Sequence, residues 1–147
     1  MARARKDRRH RAREATLQIL YQWDVGRTDV GRAAQTFFEQ QWPDAEAPED
    51  ELRTFATDLS RETVARLAEI DALIAGTAER WRPERMAVLD RLILRMAVCE
   101  LLRGPATPPA VVINEALELA RTFSTEESVK FINGMLDAIR KKLDALR

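Results

Sequence analysis

The chain has 147 residues, which is enough for one domain with a hydrophobic core, and its 24 Lys and Arg balance 24 Asp and Glu. A single cysteine, Cys99, excludes an intramolecular disulfide and is typical of a protein from a reducing compartment. Five Gly, six Pro and many Ala, Leu, Glu and Arg residues favour an all-α fold over folds built on strands.

The positive charge is concentrated at the N-terminus. Residues 1–13 carry six Arg, one Lys and one Asp, so this segment has a net charge of +6 and the rest of the chain −6. We therefore divide the chain into a basic arginine-rich arm, residues 1–13, and a helical domain, residues 14–147. Such an arm is typical of nucleic-acid binding, and a merely solvated charge run is the competing interpretation. Because arginines oppose the macrodipole at a helix N-terminus, we expect the arm to fray until phosphates neutralise it.

The arm does not fit a membrane or targeting segment. It has no large apolar residue after Met1, so it has neither an apolar face to insert nor the apolar core of a secretory signal. No run in the chain approaches the ~18 apolar residues of a transmembrane helix. We expect a cytoplasmic protein with no membrane partner.

The apolar spacing predicts six or seven helices and no strand. The first helix is predicted at about residues 9–25 and the second at 30–41. An acidic, proline-broken linker at 43–50 precedes a third helix that begins at Asp50. The apolar residues expected to face inward in this half are Ala12, Ala15, Ile19, Trp23, Ala33, Phe37, Phe38, Leu52, Phe55, Ala56, Leu59 and Leu67.

The second half of the chain continues this pattern. Residues 69–78 form either a fourth helix or a kinked extension of the third, and residues 81–83 interrupt it. Residues 84–102 are predicted to be the most buried helix, with Cys99 as a small apolar core residue. A turn at 104–109 leads to a helix at 109–123. Ser124 and Glu127 then fit a capping box that starts the last helix. The apolar residues expected to face inward are Leu89, Leu92, Ile93, Met96, Ala97, Leu101, Val112, Ala116, Leu119, Ala120, Phe123, Val129, Ile132, Leu136, Ile139 and Leu143.

The sequence lacks the residue motifs of common enzyme active sites. There is one His and one Cys, and there is no HExxH pair, glycine-rich phosphate loop or GxSxG motif. The carboxylates lie mostly at solvated helical positions beside Lys and Arg. We therefore expect no catalytic activity, no cofactor and no bound metal.

Two aromatic residues lie beside charged ones on the predicted helices. Tyr21 shares a helical ridge with His10, rotated away from the buried stripe, and suits either stacking on a base or packing on a neighbouring helix. Phe131 lies on a ridge with Glu127 and beside Lys130. Gly134, about one turn later, leaves room for a base to approach.

Three segments carry a family resemblance: RRHRAREATLQILYQWD, LDRLILRMAVCELL and PPAVVINEALELARTFSTEESVKFINGMLDAIRKKL. In order and spacing they resemble the NusB family of bacterial transcription antitermination factors. The resemblance implies an all-α fold of two packed helical bundles. It also implies binding to the single-stranded boxA element of ribosomal RNA operon transcripts, together with the ribosomal small-subunit protein NusE. RNA polymerase in the antitermination complex then reads through terminators.

The resemblance also implies site residues. The RNA contacts of the family correspond to Arg8, Arg9, Arg11, Arg13, Tyr21, Glu127, Lys130 and Phe131. His10, inside the arginine run, belongs to the same predicted RNA-binding set. The protein-partner face corresponds to the region of Glu84 and Asp90. Some members of the family form homodimers, so a second copy of the chain is a further candidate partner.

Two other functions remain open at this point. One is a helical protein-interaction adaptor whose basic arm docks an acidic partner. The other is a stand-alone relative of the RNA-binding domain that precedes the catalytic domain of certain ribosomal RNA cytosine methyltransferases. The sequence ends at Arg147 with no cofactor loop after the helical domain, so we expect a methyl-transfer assay to be blank.

Overall fold

The computed structural model describes residues 2–42, 48–78, 81–104 and 106–146, with side chains from residue 7 onward. In this part of the chain there are seven α-helices and no β-strand, which confirms the all-α prediction. The helices are α1 (Ala2–Asp24), α2 (Val30–Thr36), α3 (Asp50–Ala65), α4 (Leu67–Thr77), α5 (Val88–Leu102), α6 (Pro109–Phe123) and α7 (Glu126–Leu146). The chain divides into two compact units, Met1–Val64 and Ala65–Arg147.

The first unit is built around a stripe of small and apolar residues on α1. Ala12 and Ala15 are buried there, and their small side chains let neighbouring helices pack closely. Most of the predicted inward residues of this unit belong to one core. Trp23 and Phe55 are only partly buried, and Leu59 is buried but is not part of this cluster; Leu67, in the second unit, is partly buried. The buried members are Ala12, Ala15, Ile19, Ala33, Ala34, Phe37, Phe38, Trp42, Leu52 and Ala56.

The second predicted helix consists of two kinds of helix in the structure. Asp29 caps α2 by accepting a hydrogen bond from the backbone N–H of Arg32 at 3.2 Å. A π-helical turn, Phe37–Gln41, then continues the segment. The rings of Phe37 and Phe38 meet edge to face at 5.1 Å. Of the linker predicted at 43–50, residues 43–47 lie outside the described residues.

The second unit surrounds α5, which is buried continuously from Leu92 to Leu101 and packs against α4, α6 and α7. This confirms α5 as the most buried helix. Its one buried arginine, Arg95, forms a two-pronged ion pair with Asp71 of α4, with both N–O distances at 2.9 Å. The planar guanidinium thus meets the carboxylate with two parallel hydrogen bonds, which offsets the cost of burying its charge.

The structure settles one open alternative and corrects one predicted helix start. The alternative left open at residues 69–78 is decided by Arg66, whose φ of −102° and ψ of 18° leave the helical region, so α4 is a separate helix. The helix predicted from residue 84 begins at Val88, because Pro83–Arg85 forms a short 3₁₀ turn instead. Phe123 was expected to face inward, but it is 37% exposed at the last residue of α6.

The capping residue of α7 was predicted one position too early. The helix begins at Glu126, and the backbone N–H of Ser128 donates to Thr125 Oγ1 at 3.1 Å, so Thr125 is the N-cap. Ser124 is the C-cap residue of α6, one position too early to cap α7, and its hydroxyl donates to the carboxylate of Asp90.

Two surface carboxyls in this unit have lowered pKa values. A hydrogen bond from Arg66 lowers the pKa of Glu69. A hydrogen bond from Lys141 lowers the pKa of Asp137 on α7, and Arg140 adds to the effect. Both are ordinary helix-surface pairs at i,i+3 or i,i+4 spacing.

Candidate nucleic-acid interface

The arm is helical in the structure. α1 begins at Ala2, seven residues before the predicted start, and continues without a break through the predicted boundary between residues 13 and 14. The expectation that the arm frays is therefore wrong for this structure. Two acids near the start of α3, Glu49 and Glu51, bring negative charge to this helical arm.

These acids pair directly with the arm. Arg8 Nη1 lies 2.8 Å from Glu49 Oε2, and Arg9 Nη2 lies 3.1 Å from Glu51 Oε1. Both pairs are exposed to solvent and join residues 41 and 42 positions apart in the sequence. They place negative charge beside the arginines of the arm, about two turns after the start of α1, and so offset part of the repulsion among its cations.

Two aromatic rings lie beneath the arm. The guanidinium of Arg9 lies 4.3 Å from the centre of the Phe55 ring, and that of Arg13 lies 5.2 Å from the same ring. Arg11 lies 4.8 Å from the ring of Trp42. These distances are within the range of cation–π attraction, so the rings fix the positions of three arginines along α1.

The predicted arm residues differ in their access to solvent. Arg11 is exposed and Arg8 and Arg9 are half-buried, whereas Arg13 is only 3% exposed. His10 lies between these residues, with its Nε2 atom 2.7 Å from Glu14 Oε1 on the next turn. Among the arm side chains that the structure describes, the ridge of Arg8, Arg9 and Arg11 therefore presents the accessible positive charge, and Arg13 packs underneath it.

Tyr21 lies on the same helix, about three turns after His10, and its side chain is 39% exposed. The predicted ridge also contains Leu17, which is buried, so Tyr21 stands at the edge of the core. A half-exposed phenol on the helix that carries the basic ridge can offer one ring face to a base.

The second unit brings together the other predicted RNA residues on α7. Glu127, Lys130 and Phe131 are all exposed, and Phe131 is 42% exposed despite its apolar ring. Gly134 follows about one turn later, and a Cβ built there meets no atom of the described residues within 4 Å. An exposed ring beside a lysine and an open glycine form a surface that a flat ligand can approach closely.

The two predicted partner residues have different environments. Glu84 is exposed in the 3₁₀ turn before α5, and Arg91 Nη1 fastens this turn by donating to the carbonyl of Pro83 at 2.6 Å. Asp90 is only 9% exposed, and its carboxylate accepts hydrogen bonds from Ser124 and Ser128. Glu84 is thus available to a partner, while both oxygens of Asp90 are engaged within the chain.

Sequence reasoning missed the residues that hold the arm. Glu49 falls within the predicted linker at 43–50, and Phe55 is predicted to face the core. The available signal was charge complementarity, because an arm with a net charge of +6 and the acidic segment around α3's first turn lie in the same half of the chain. That signal does not indicate which acid meets which arginine.

The described residues contain no group of three or more His, Cys, Asp and Glu side chains arranged to hold a metal ion. No helix among them is long and apolar enough to cross a bilayer.

Known proteins resemble this chain over most of its length. The NusB family model matches residues 10–141. Transcription antitermination protein NusB from Koribacter versatilis (strain Ellin345) is 48% identical over 139 residues, covering 95% of this chain and 92% of the relative. The protein of the same name from Solibacter usitatus (strain Ellin6076) is 50% identical over 135 residues, covering 92% and 90%.

Solved structures agree in fold. The structure of T. maritima NusB matches with a TM-score of 0.80 and 34% identity, covering 90% of each chain. A crystal structure of antitermination factors NusB and NusE in complex with dsRNA matches with a TM-score of 0.79 and 26% identity, covering 92% of this chain and 98% of that chain. The family model and these relatives span nearly the whole helical chain, which therefore belongs to the NusB family.

Proposed function

We propose that this chain is an RNA-binding transcription antitermination factor. Together with the ribosomal protein NusE it binds boxA RNA in ribosomal RNA operon transcripts, and the complex promotes read-through by RNA polymerase. The chain acts as an adaptor and catalyses no reaction. The observation that carries the proposal is the accessible ridge of Arg8, Arg9 and Arg11 on a helix that also presents Tyr21.

The arm supplies the electrostatic part of the binding. Guanidinium groups donate paired hydrogen bonds to phosphate oxygens, and these contacts position an RNA strand without reading its sequence. Arg8, Arg9, His10 and Arg11 are the proposed phosphate contacts. Arg13, buried over Phe55, supports the ridge from below.

The aromatic residues supply the local contacts to bases. Unpaired RNA exposes both base faces, and stacking on an aromatic ring contributes about 1–3 kcal/mol per base. Tyr21 is the proposed stacking residue of α1 and Phe131 that of α7, where Lys130 provides a neighbouring cation and Glu127 a hydrogen-bond acceptor. Single-stranded RNA is therefore the proposed form of the ligand.

Glu84 is the proposed centre of the NusE-binding face. It is exposed on a turn that Arg91 fastens to α5, so its position is fixed before a partner binds. The structure solved with NusE and dsRNA contains a protein 26% identical to this chain, and it supports the choice of partner.

The test is an RNA titration of three matched proteins, each with and without NusE. The parent chain is compared with Arg8→Gln/Arg9→Gln/Arg11→Gln and with a control that loses the same charge elsewhere in the first unit, Arg32→Gln/Arg53→Gln/Arg61→Gln. The three control arginines are exposed on α2 and α3. Single-stranded and double-stranded versions of a boxA-like RNA serve as ligands.

The proposal predicts that the parent binds single-stranded RNA and that NusE strengthens the binding. The arm variant loses about tenfold or more in affinity, since each contact to a charged group is worth about 1.5–3 kcal/mol. The control changes little. If the parent binds no RNA in either condition, the proposed function is wrong. If the arm variant no longer binds NusE but still binds RNA as the parent does, the arm docks a protein and the adaptor alternative is correct.

A further inference from the structure

We propose that Glu49 and Glu51 compete with RNA for the arm: they occupy the guanidinium groups of Arg8 and Arg9 in the free protein, and an RNA backbone must displace them. This inference rests on the proposed function, because it assigns a restraint to the same arm. The two glutamates and the two arginines are called the clasp below.

The clasp is built from groups that a phosphate can replace. A carboxylate and a phosphate present oxygens of similar geometry to a guanidinium, so both bind the same N–H edges. The pairs at 2.8 Å and 3.1 Å therefore occupy donor positions on which RNA depends. Each carboxylate also repels an incoming phosphate at short range.

The clasp is exposed and can exchange. About half of each glutamate side chain is accessible to solvent, as is somewhat less than half of each arginine side chain. Exposed ion pairs contribute little net free energy, so a ligand with several phosphates can displace them. The clasp thus lowers affinity without preventing binding.

The ring of Phe55 keeps Arg9 in place when its carboxylate leaves. Glu51 and Phe55 lie four residues apart on α3, and both contact the guanidinium of Arg9: Nη2 lies 3.1 Å from Glu51 Oε1, and the guanidinium carbon lies 4.3 Å from the centre of the Phe55 ring. Loss of the glutamate contact therefore leaves the arginine positioned by the ring. The arm changes its anionic partner without losing its position on the first unit.

The clasp therefore lowers the affinity of the arm for every polyanion. Phosphate contacts alone are opposed by the two carboxylates, so stable binding requires additional contacts, such as the base stacking proposed at Tyr21. The same ion pairs also offset part of the positive charge of the helical arm in the absence of RNA.

The test neutralises the clasp acids and compares them with neighbouring acids on α3. The variant is Glu49→Gln/Glu51→Gln, and the control is Asp50→Asn/Asp58→Asn, which removes the same charge from exposed residues of that helix. Neither Asp50 nor Asp58 forms an ion pair with a described residue. Two ligands are titrated: the single-stranded RNA used above and inorganic polyphosphate, which presents phosphates without bases. Circular dichroism verifies that all variants are folded.

At about 50 mM salt, where screening is modest, we expect the clasp variant to bind both ligands about fivefold more tightly than the parent and the control to change by less than about twofold. In an Arg8→Ala/Arg9→Ala background the gain should disappear, because the acids then have no arginine to occupy.

The inference is overturned if the clasp variant binds no more tightly than the Asp50/Asp58 control. It is also overturned if the gain persists undiminished without Arg8 and Arg9, since that result indicates only long-range charge. Failure of the proposed function gives a different pattern. In that case neither the parent nor the clasp variant binds RNA. The clasp variant still binds polyphosphate more tightly than the parent does, and this result supports the clasp.

Discussion

The hydroxyl of Ser124 donates a hydrogen bond of 2.5 Å to the carboxylate of Asp90. The other carboxylate oxygen accepts from Ser128 at 2.6 Å. Asp90 lies in the first turn of α5, and the two serines lie on either side of the start of α7. A single buried carboxylate thus fixes the corner from which the candidate RNA residues of α7 project.

Removing this carboxylate should destabilise the second unit. Asp90→Ala deletes two charge-assisted hydrogen bonds, and we expect the free energy of unfolding to fall by about 2 kcal/mol. Urea denaturation followed by circular dichroism measures the change. Glu84→Gln is the matched control, because Glu84 is exposed and its loss should leave stability unchanged while it weakens binding to NusE. Equal stability of Asp90→Ala and the parent would show that the two serines find other partners at no cost.

The salt dependence of RNA binding should depend on how many of the exposed arm arginines contact phosphates. Each phosphate contact to a single strand contributes about −0.7 to the slope of log K against log salt, so Arg8, Arg9 and Arg11 predict a slope of about −2. Arg8→Ala/Arg9→Ala should reduce it to about −0.7. Arg13 is not counted because it is buried.

The measurement is a series of RNA titrations at several salt concentrations. Arg32→Ala/Arg61→Ala removes two exposed arginines of α2 and α3 and should leave the slope unchanged. An unaltered slope in the arm variant would remove Arg8 and Arg9 from the phosphate contacts.

Local patterns in the sequence predicted much of the fold. The apolar spacing placed α6 at its observed bounds and identified α5 as the most buried helix. The same spacing indicated that Tyr21 and Phe131 lie outside the buried stripes, and both are exposed. Each of these results depends on residues within a few turns of one another, which is the range over which helical periodicity carries information.

The remaining features depend on residues distant in sequence. α1 extends back to Ala2 in the presence of acids about 40 residues away, so rules about its own N-terminus predict fraying instead. Ser124 has the right residue type for a cap, but it ends α6 and donates to the distant Asp90, while Thr125 directly precedes α7 and caps it. The order of the elements can therefore be predicted locally, but the partners of charged and polar side chains cannot.

Substitutions of Tyr21 distinguish a base-stacking role of its ring from a packing role. If its ring stacks on a base, Tyr21→Phe should change RNA affinity little, while Tyr21→Ala should weaken it by about 1–3 kcal/mol. RNA titration with each variant measures the difference, and urea denaturation shows whether the fold is affected. Loss of stability in Tyr21→Ala with no change in RNA affinity would assign the ring to packing.

Gly134 provides a test in which stability and binding change in opposite directions. It lies in the interior of α7, where glycine is about 0.5–1 kcal/mol less favourable than alanine, and a Cβ built there meets no described atom within 4 Å. Gly134→Ala should therefore raise the free energy of unfolding by that amount.

If a base stacked on Phe131 approaches the helix closely, the same methyl group should lower RNA affinity about fivefold or more, since a stacked base contributes about 1–3 kcal/mol. Gly76→Ala is the control: Gly76 lies in the last turn of α4 in the same unit, a Cβ built there meets Lys142 only at an ordinary 3.9 Å, and the substitution should stabilise the fold without weakening RNA binding. If both variants gain stability and both keep full RNA affinity, no base approaches α7 at Gly134, and the contact proposed at Phe131 is wrong.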